Sequence, residues 1–199
     1  MRKLILVFTR NPELGKVKTR LAASIGNENA LEIYKFLLNH TKNVLLHCNA
    51  KSRVLYSEEI NTNDSWDNDF FEKSLQKGND LGEKMKNAFL DGFASGYEKI
   101  VIIGSDLYDL ESTDIETAFE KLENNDVVIG PAEDGGYYLL GLNKILDTVF
   151  ENKNWSTESV FNDTIKDIQH LKYEVLKTKN DIDTVEDIMN IEEFEKYLR

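Results

Sequence analysis

Four cationic side chains lie close together in one short segment of the sequence. They are Arg10, Lys16, Lys18 and Arg20. With one acid, Glu13, between them, residues 10–20 carry a net charge of four minus one, or +3, whereas the whole chain of 199 residues carries −12. A cationic segment in an acidic protein predicts a site for a phosphate-bearing ligand, because guanidinium and ammonium groups form strong charge-assisted hydrogen bonds to phosphate. The alternative is a solvated loop with scattered charge, since the segment has neither the Walker A nor the dinucleotide-binding glycine spacing.

Two acidic segments could supply a divalent metal site. Asp106 comes directly after the apolar run 99–103, and Asp183 lies in the acidic segment 181–187 near the end of the chain. Carboxylates of this kind hold Mg²⁺ or Mn²⁺ together with substrate phosphates. We therefore predict Asp106 as a metal ligand and catalytic group, with Asp183 as the second ligand. The alternatives are a local turn for Asp106 and a helix cap for Asp183.

A glycine pair in the segment 130–138 predicts close contact with a substrate. Gly135 and Gly136 would let the backbone approach a ligand, since they carry no side chain. Asp134 beside them could accept hydrogen bonds from sugar hydroxyls or act as a general base, and Tyr137 or Tyr138 could offer a stacking face. The alternative is a tight turn, because Asp-Gly is a common turn dipeptide.

The elements that would position these groups alternate along the chain. Strands are predicted at 4–8, 53–56, 70–76, 99–103, 126–129, 137–142 and 173–176, and helices at 28–46, 81–93, 113–123, 157–169 and 185–198. Thr113 and Glu116 have the spacing of a capping box. The alternation predicts one α/β domain over residues 1–199, with an open, mainly parallel sheet and helices on both faces. Ligands bind such sheets at the carboxyl ends of the strands, where the segments above are expected.

Composition excludes several classes of protein. A chain this acidic is unsuited to general binding of nucleic acid or an anionic membrane, and its longest apolar run is too short to span a bilayer. No signal-peptide pattern opens the sequence, and Cys48, the one cysteine, cannot form an intramolecular disulfide. We expect a cytoplasmic protein. The three histidines lack the spacing of a zinc site, and no serine-hydrolase elbow is present.

Taken in order, these motifs resemble a known family. The segments are 8–21 (FTRNPELGKVKTRL), 79–85 (NDLGEKM), 104–110 (GSDLYDL), 130–142 (GPAEDGGYYLLGL), 155–157 (WST) and 181–188 (DIDTVEDI). They are similar to the conserved segments of a small bacterial family of glycosyltransferase-A-like proteins, formerly classed as a domain of unknown function. The resemblance implies a nucleotide-diphospho-sugar transferase fold. Two positions depart from the pattern, because Tyr108 replaces a proline and Lys84 replaces an arginine.

The resemblance also implies a transferase activity, for which three hypotheses remain. The first is a glycosyltransferase that uses a nucleotide sugar, a small-molecule acceptor and Mg²⁺ or Mn²⁺. The second is a nucleotidyltransferase, like more distant relatives of this build, in which Lys18 and Arg20 would stabilise pyrophosphate leaving a nucleoside triphosphate. The third is a non-catalytic nucleotide-binding module, which the unusual Tyr108 in the metal loop would favour.

Overall fold

The computed structural model describes residues 1–198, which form one seven-stranded sheet covered by helices. The strands are β1 (Lys3–Thr9), β2 (Lys51–Tyr56), β3 (Phe71–Leu75), β4 (Lys99–Ile103), β5 (Val127–Pro131), β6 (Tyr137–Leu142) and β7 (Tyr173–Val175). Their order across the sheet is β3-β2-β1-β4-β6-β5-β7. Only β6 runs antiparallel to its neighbours among these strands. The predicted open, mainly parallel α/β sheet is therefore confirmed.

Helices cover both faces of the sheet. They are α1 (Thr19–Ile25), α2 (Asn27–Leu46), α3 (Leu81–Ala94), α4 (Ser112–Lys121) and α5 (Val160–Ile168). The continuous apolar runs of the central strands explain this arrangement, because alternate residues of a strand point to opposite faces. In β4, Val101 and Ile103 pack with α2 and α4, whereas Ile100 and Ile102 pack with α3 and α5. No helix within residues 1–198 is long and apolar enough to cross a bilayer.

The predicted terminal helix at 185–198 is wrong. Turns occupy the start of this segment, and a 3₁₀ helix follows at Glu192–Tyr197. Five of the segment's apolar residues recur at every third position, 185, 188, 191, 194 and 197, whereas Met189 is exposed. That period suits a 3₁₀ helix, in which side chains three apart are eclipsed, and hydrogen bonds join residues three apart, as from the Ile188 amide to the Val185 carbonyl. These residues pack on α1 and α2.

Three smaller differences concern helix ends. The short helix α1 was not predicted, and Gly26 with φ +87° separates it from α2. The helix predicted from 157 begins instead at Val160. Glu111, rather than Thr113, is the N-cap of α4, and the Asp114 carboxylate accepts a hydrogen bond from the Glu111 amide at 2.8 Å.

Candidate functional site

The segment after β7 joins two loops at the carboxyl edge of the sheet. Leu107 forms an isolated antiparallel bridge with Asp181, and the Ile182 amide donates to the Asp106 carbonyl at 3.1 Å. Ala132 forms a second isolated bridge, which is parallel, with Lys179. The loops that follow β4 and β5 are therefore held together by one extended segment, residues 179–182. This connection brings the predicted acidic groups to a common edge.

Lys179 stabilises this connection through its buried side chain. Its side chain is only 8% exposed, and its ammonium group donates to the Asp109 carbonyl at 2.6 Å. The same ammonium pairs with the Asp114 carboxylate at 3.1 Å and with that of Asp109 at 3.5 Å. A buried ammonium needs such partners, because burying an unpaired charge is very unfavourable. Sequence reasoning missed Lys179, since nothing in its neighbourhood marks a lysine as buried.

Asp106 lies where it was predicted, directly after β4, and its carboxylate contacts Lys18. Asp106 Oδ2 is 2.9 Å from Lys18 Nζ, and the Lys18 side chain is only 6% exposed. Burial lowers the pKa of Lys18, but the nearby Asp106, Asp181 and Asp183 carboxylates outweigh it and raise the pKa above its usual value. Lys18 is therefore a charged ammonium. On the other side of Asp106, a Cβ atom at Gly104 would lie 2.9 Å from Asp106 Oδ1.

Asp181 is a further acid at this edge, and the charge of Asp106 acts on it. Burial is the main cause that raises the pKa of Asp181 to about 6, and the Asp106 carboxylate adds to it, with a further contribution from Asp134. Lys18 lowers this pKa but does not reverse the shift. Within residues 1–198 no ion pair of 4.0 Å or less includes Asp181. The Asp106 and Asp181 carboxylates therefore repel each other, and this repulsion together with burial makes Asp181 harder to ionise than a free aspartate.

Asp183, the predicted second metal ligand, has a different neighbour. Its carboxylate accepts a hydrogen bond from Arg20 Nη1 at 3.0 Å. The local turn is shaped by Asp187, which accepts from the amides of Asp183 and Thr184 at 2.9 Å and 2.6 Å. Burial raises the pKa of Asp187, but these hydrogen bonds lower it overall. Ile182 is buried between the two acids Asp181 and Asp183. The sequence could therefore indicate both acids as candidate metal ligands, but it could not show which of them interacts with Asp106.

The four predicted phosphate-binding cations differ in exposure. Arg10 is exposed, and its backbone is fixed by the Tyr34 hydroxyl, which accepts from the Arg10 amide at 2.9 Å and donates to its carbonyl at 3.1 Å. Lys16 is exposed and pairs with Glu13 at 2.7 Å. Arg20 has a side chain that is 76% exposed despite its bond to Asp183. Three of the four cations are therefore exposed to a ligand in solution, whereas the Lys18 side chain is buried.

The glycine pair forms a rigid loop at the same edge. Asp134 is exposed, and its Oδ1 accepts from the Gly136 amide at 2.8 Å. Gly135 has φ +87°, and a Cβ atom there would lie 2.3 Å from the Glu158 carbonyl oxygen. Tyr137 is partly buried, with its hydroxyl 3.8 Å from Met85 Sδ under α3, and burial raises its pKa. Its predicted stacking face is thus largely occupied by the core.

Residues 154–159 lie beside this loop, since Glu158 is close to Gly135. They include the motif 155–157, to which sequence analysis assigned no role. The Trp155 indole presses on α3, because a Cβ atom at Gly82 would lie 2.6 Å from it. Ser156 has φ +64°, a strained conformation for a residue with a side chain. Segments 132–137 and 154–159 contain no lysine or arginine. They form an acidic and hydroxyl-bearing surface, in contrast to the cationic loop.

A metal ion would need ligands from outside the protein. Across residues 1–198 no three acidic, histidine or cysteine side chains are close enough together to hold a metal by themselves. Asp106 and Asp181 are nevertheless two oxygen donors with like charges close together, which suits Mg²⁺ or Mn²⁺. These ions bind one or two carboxylates and complete their coordination with phosphate oxygens and water.

Comparisons with known proteins agree with the fold. A structure of a protein from Desulfovibrio desulfuricans G20, provisionally assigned as a nucleotide-diphospho-sugar transferase, is 31% identical and has a TM-score of 0.86, covering 96% of this chain and 90% of that one. A cytidylyltransferase from Leptospira borgpetersenii is similar in fold alone, at 16% identity and a TM-score of 0.59, over 94% of this chain and 83% of that one. CMP:2-keto-3-deoxy-manno-octonic acid synthetase complexed with CTP is also similar in fold alone, at 9% identity and a TM-score of 0.57, over 94% of this chain and 95% of that one.

Sequence comparison gives the family. No curated protein sequence matches the chain. Residues 39–157, more than half of the chain, match the family model described as "Uncharacterized protein conserved in bacteria (DUF2064)". The resemblance stated from the motifs is confirmed by this match and by the Desulfovibrio structure. The chain is a member of the DUF2064 family, with the nucleotide-diphospho-sugar transferase fold.

Proposed function

We propose that this protein is a nucleotide-utilising transferase whose activity depends on Mg²⁺ or Mn²⁺. The observation that carries the proposal is the pair of carboxylates, Asp106 and Asp181, next to a loop of net charge +3 at the carboxyl edge of the sheet. A divalent cation between these carboxylates would relieve their repulsion and stabilise the negative charge that develops on a leaving diphosphate. The fold shared with a cytidylyltransferase and a CTP-bound synthetase supports a nucleotide as the ligand.

Asp181 takes the role first predicted for Asp183 in this proposal. The Asp183 carboxylate is engaged by Arg20, whereas Asp181 has no ion-pair partner within the described chain and interacts with Asp106. Arg10, Lys16 and Arg20 would bind and orient the phosphates, because their side chains are exposed in the loop that also carries Lys18, the partner of Asp106. The prediction of Asp183 as a ligand stays open to the same test by substitution.

The surface around the glycine pair, where an acceptor would bind, favours glycosyl transfer. Segments 132–137 and 154–159 carry three acids, Glu133, Asp134 and Glu158, and no cation. Such a surface suits a neutral, hydroxylated acceptor, with Asp134 positioned to bind a hydroxyl or to remove its proton. A phosphorylated acceptor, which nucleotidyl transfer to a sugar phosphate requires, would meet like charges there.

Nucleotidyl transfer remains the second candidate because of the cationic loop. Four cations within residues 10–20 could balance a triphosphate, which carries more charge than a nucleotide sugar. The third hypothesis, a non-catalytic module, loses its main support. Tyr108 does not displace Asp106, since its hydroxyl donates to Glu193 at 2.7 Å and its ring packs against Phe36 and Phe194.

Two assays separate the candidates. Nucleotide sugars are incubated with neutral sugar acceptors and Mn²⁺, and release of nucleoside diphosphate is measured. Nucleoside triphosphates are incubated in parallel with sugar 1-phosphates, and pyrophosphate is measured. We expect acceptor-dependent release only in the first assay, with its loss in Asp134→Asn. Pyrophosphate formation that requires a sugar 1-phosphate would instead establish nucleotidyl transfer.

A further inference from the structure

Lys18 already holds a positive charge at the carboxylates where the metal is proposed to bind. Its ammonium nitrogen is 2.9 Å from Asp106 Oδ2, within a side chain that is 6% exposed. The charges of Asp181 and Asp183 also act on it. Lys18 has φ 48° and ψ 45°, a left-handed conformation that is strained for a residue with a side chain and that immediately precedes α1. The other cations of the loop are exposed, so Lys18 alone among them is directed inward.

An ammonium group and a divalent ion cannot both occupy this position. Mg²⁺ binds carboxylate oxygen at about 2.0–2.1 Å, so an ion on Asp106 Oδ2 would come close to the Lys18 nitrogen at its present distance of 2.9 Å from the same oxygen. The two cations would repel each other, and the burial of the Lys18 side chain reduces the screening of this repulsion by solvent. Lys18 must therefore leave Asp106 Oδ2 before a metal can bind that oxygen, and its charge then needs a new anionic partner.

A polyphosphate supplies that partner. We propose that Lys18 holds the metal's place on Asp106 in the free protein and moves onto a phosphate when a metal–polyphosphate complex enters. The inference rests on the proposed function, because it takes Asp106 and Asp181 as the protein ligands of the metal. It couples the binding of the two ligands, because metal alone competes with Lys18 and polyphosphate alone meets the negative charge of the two carboxylates. Metal and polyphosphate therefore bind together.

Lys18→Met tests the exclusion of metal directly. Methionine keeps most of the length of lysine and removes its charge. Lys35→Met is the matched control, since Lys35 pairs with Glu32 at 2.9 Å on the exposed surface of α2, outside the proposed site. Mn²⁺ is titrated by calorimetry into each protein, first alone and then with inorganic pyrophosphate as the probe. We expect Lys18→Met to bind Mn²⁺ alone at least tenfold more tightly than wild type, with Lys35→Met unchanged. Pyrophosphate should strengthen Mn²⁺ binding by a smaller factor in Lys18→Met than in wild type.

Three outcomes would overturn the inference, and they differ in what else they overturn. Equal Mn²⁺ affinity of wild type and Lys18→Met, while pyrophosphate promotes Mn²⁺ binding to wild type, would refute the role of Lys18 alone. Mn²⁺ binding in Lys18→Met that survives a second change, Asp106→Asn, would place the metal elsewhere. Absence of Mn²⁺ binding from every variant, with and without pyrophosphate, would refute the proposed metal site as well. Lys18→Gln provides a second neutral variant, and circular dichroism checks that each protein is folded.

Discussion

Asp181→Asn should make the protein more stable while it removes metal-dependent binding. Asp181 is half-buried, and its pKa is raised from 3.8 to about 6 by burial and by the Asp106 carboxylate. The raised pKa means that ionising Asp181 is harder in the folded than in the unfolded protein. At neutral pH, where the group is charged in both states, this difference lowers the free energy of unfolding. Asparagine has nearly the same size and carries no charge, so it removes the penalty.

The size of the effect follows from the shift. A change from 3.8 to about 6 is 6 − 3.8 = 2.2 units, which at about 1.4 kcal/mol per unit corresponds to roughly 3 kcal/mol. Solvent screening of a partly exposed group reduces this figure, and we expect a gain of roughly 1–2 kcal/mol. For a chain of this length, each kcal/mol moves the melting temperature by about 2–4 °C. Asp181→Asn should therefore melt roughly 2–8 °C higher than wild type at pH 7.5.

The gain should also depend on pH in a defined direction. Between pH of about 4 and 6 the folded protein binds more protons at Asp181 than the unfolded chain does, so the penalty grows as the pH rises through this window. Below it, Asp181 is protonated in both states and the advantage of asparagine disappears. With pKa values of 3.8 and about 6, the gain at pH 4.5 should be about a third of the gain at pH 7.5.

Differential scanning calorimetry in the presence of chelator measures these values. Asp183→Asn is the matched control, because the Asp183 carboxylate is paired with Arg20. It should lose up to about 1 kcal/mol, the range of an exposed ion pair. The reasoning fails if Asp181→Asn is no more stable than wild type at pH 7.5, or if its gain is as large at pH 4.5. Asp181→Asn should also lose the strengthening of pyrophosphate binding by Mn²⁺, and retention of that effect would exclude Asp181 as a metal ligand.

Three further substitutions test separate parts of the site. Gly104→Ala would bring a methyl group to 2.9 Å from Asp106 Oδ1; we expect the melting temperature to change little and Mn²⁺-dependent pyrophosphate binding, measured by calorimetry, to weaken at least fivefold. Asp134→Asn should reduce turnover strongly and leave nucleotide affinity within a few-fold, and a collapse of nucleotide binding in a folded variant would contradict its role. Arg20→Ala should weaken pyrophosphate binding by roughly 1–3 kcal/mol, the scale of charge-assisted hydrogen bonds, while its exposed pair with Asp183 contributes at most about 1 kcal/mol to stability. Unchanged pyrophosphate affinity in Arg20→Ala would remove it from the phosphate site.

The sheet could be predicted because its strands are encoded locally. Apolar runs such as residues 99–103 are buried on both faces, and their short length and flanking turn residues distinguish them from helices. The terminal segment was misread for the opposite reason. Its apolar residues, from Val185 to Tyr197, recur at a spacing of three, which fits one side of an α-helix over a short distance and a 3₁₀ helix over a longer one. Only contact with α1 and α2, which are far away in sequence, selects between the two.

The sequence was sufficient to predict which segments form the candidate site. It was not sufficient to predict which charged side chains pair with each other. Strand ends indicate which loops lie at the binding edge, and this logic brought Asp106, Asp134 and the segment 181–187 together. The partner of each charge depends on contacts between distant residues, with Lys18 and Asp106 separated by 88 positions and Arg20 and Asp183 by 163. No local pattern specifies such pairs.

Those pairings give the four cations of the loop different parts in one binding event. Arg20 is held by Asp183 but remains mostly exposed, so it can reach a phosphate while it keeps its carboxylate partner. Lys18 is buried on Asp106 and must exchange that partner for a phosphate. Asp181, which no ion pair within residues 1–198 neutralises, is left with an unfavourable charge until another cation arrives. The free protein therefore balances one carboxylate with an internal ammonium and leaves the second unbalanced. A metal–polyphosphate complex is the kind of ligand that satisfies both carboxylates and the released ammonium at once, because it brings a divalent cation and phosphate oxygens together.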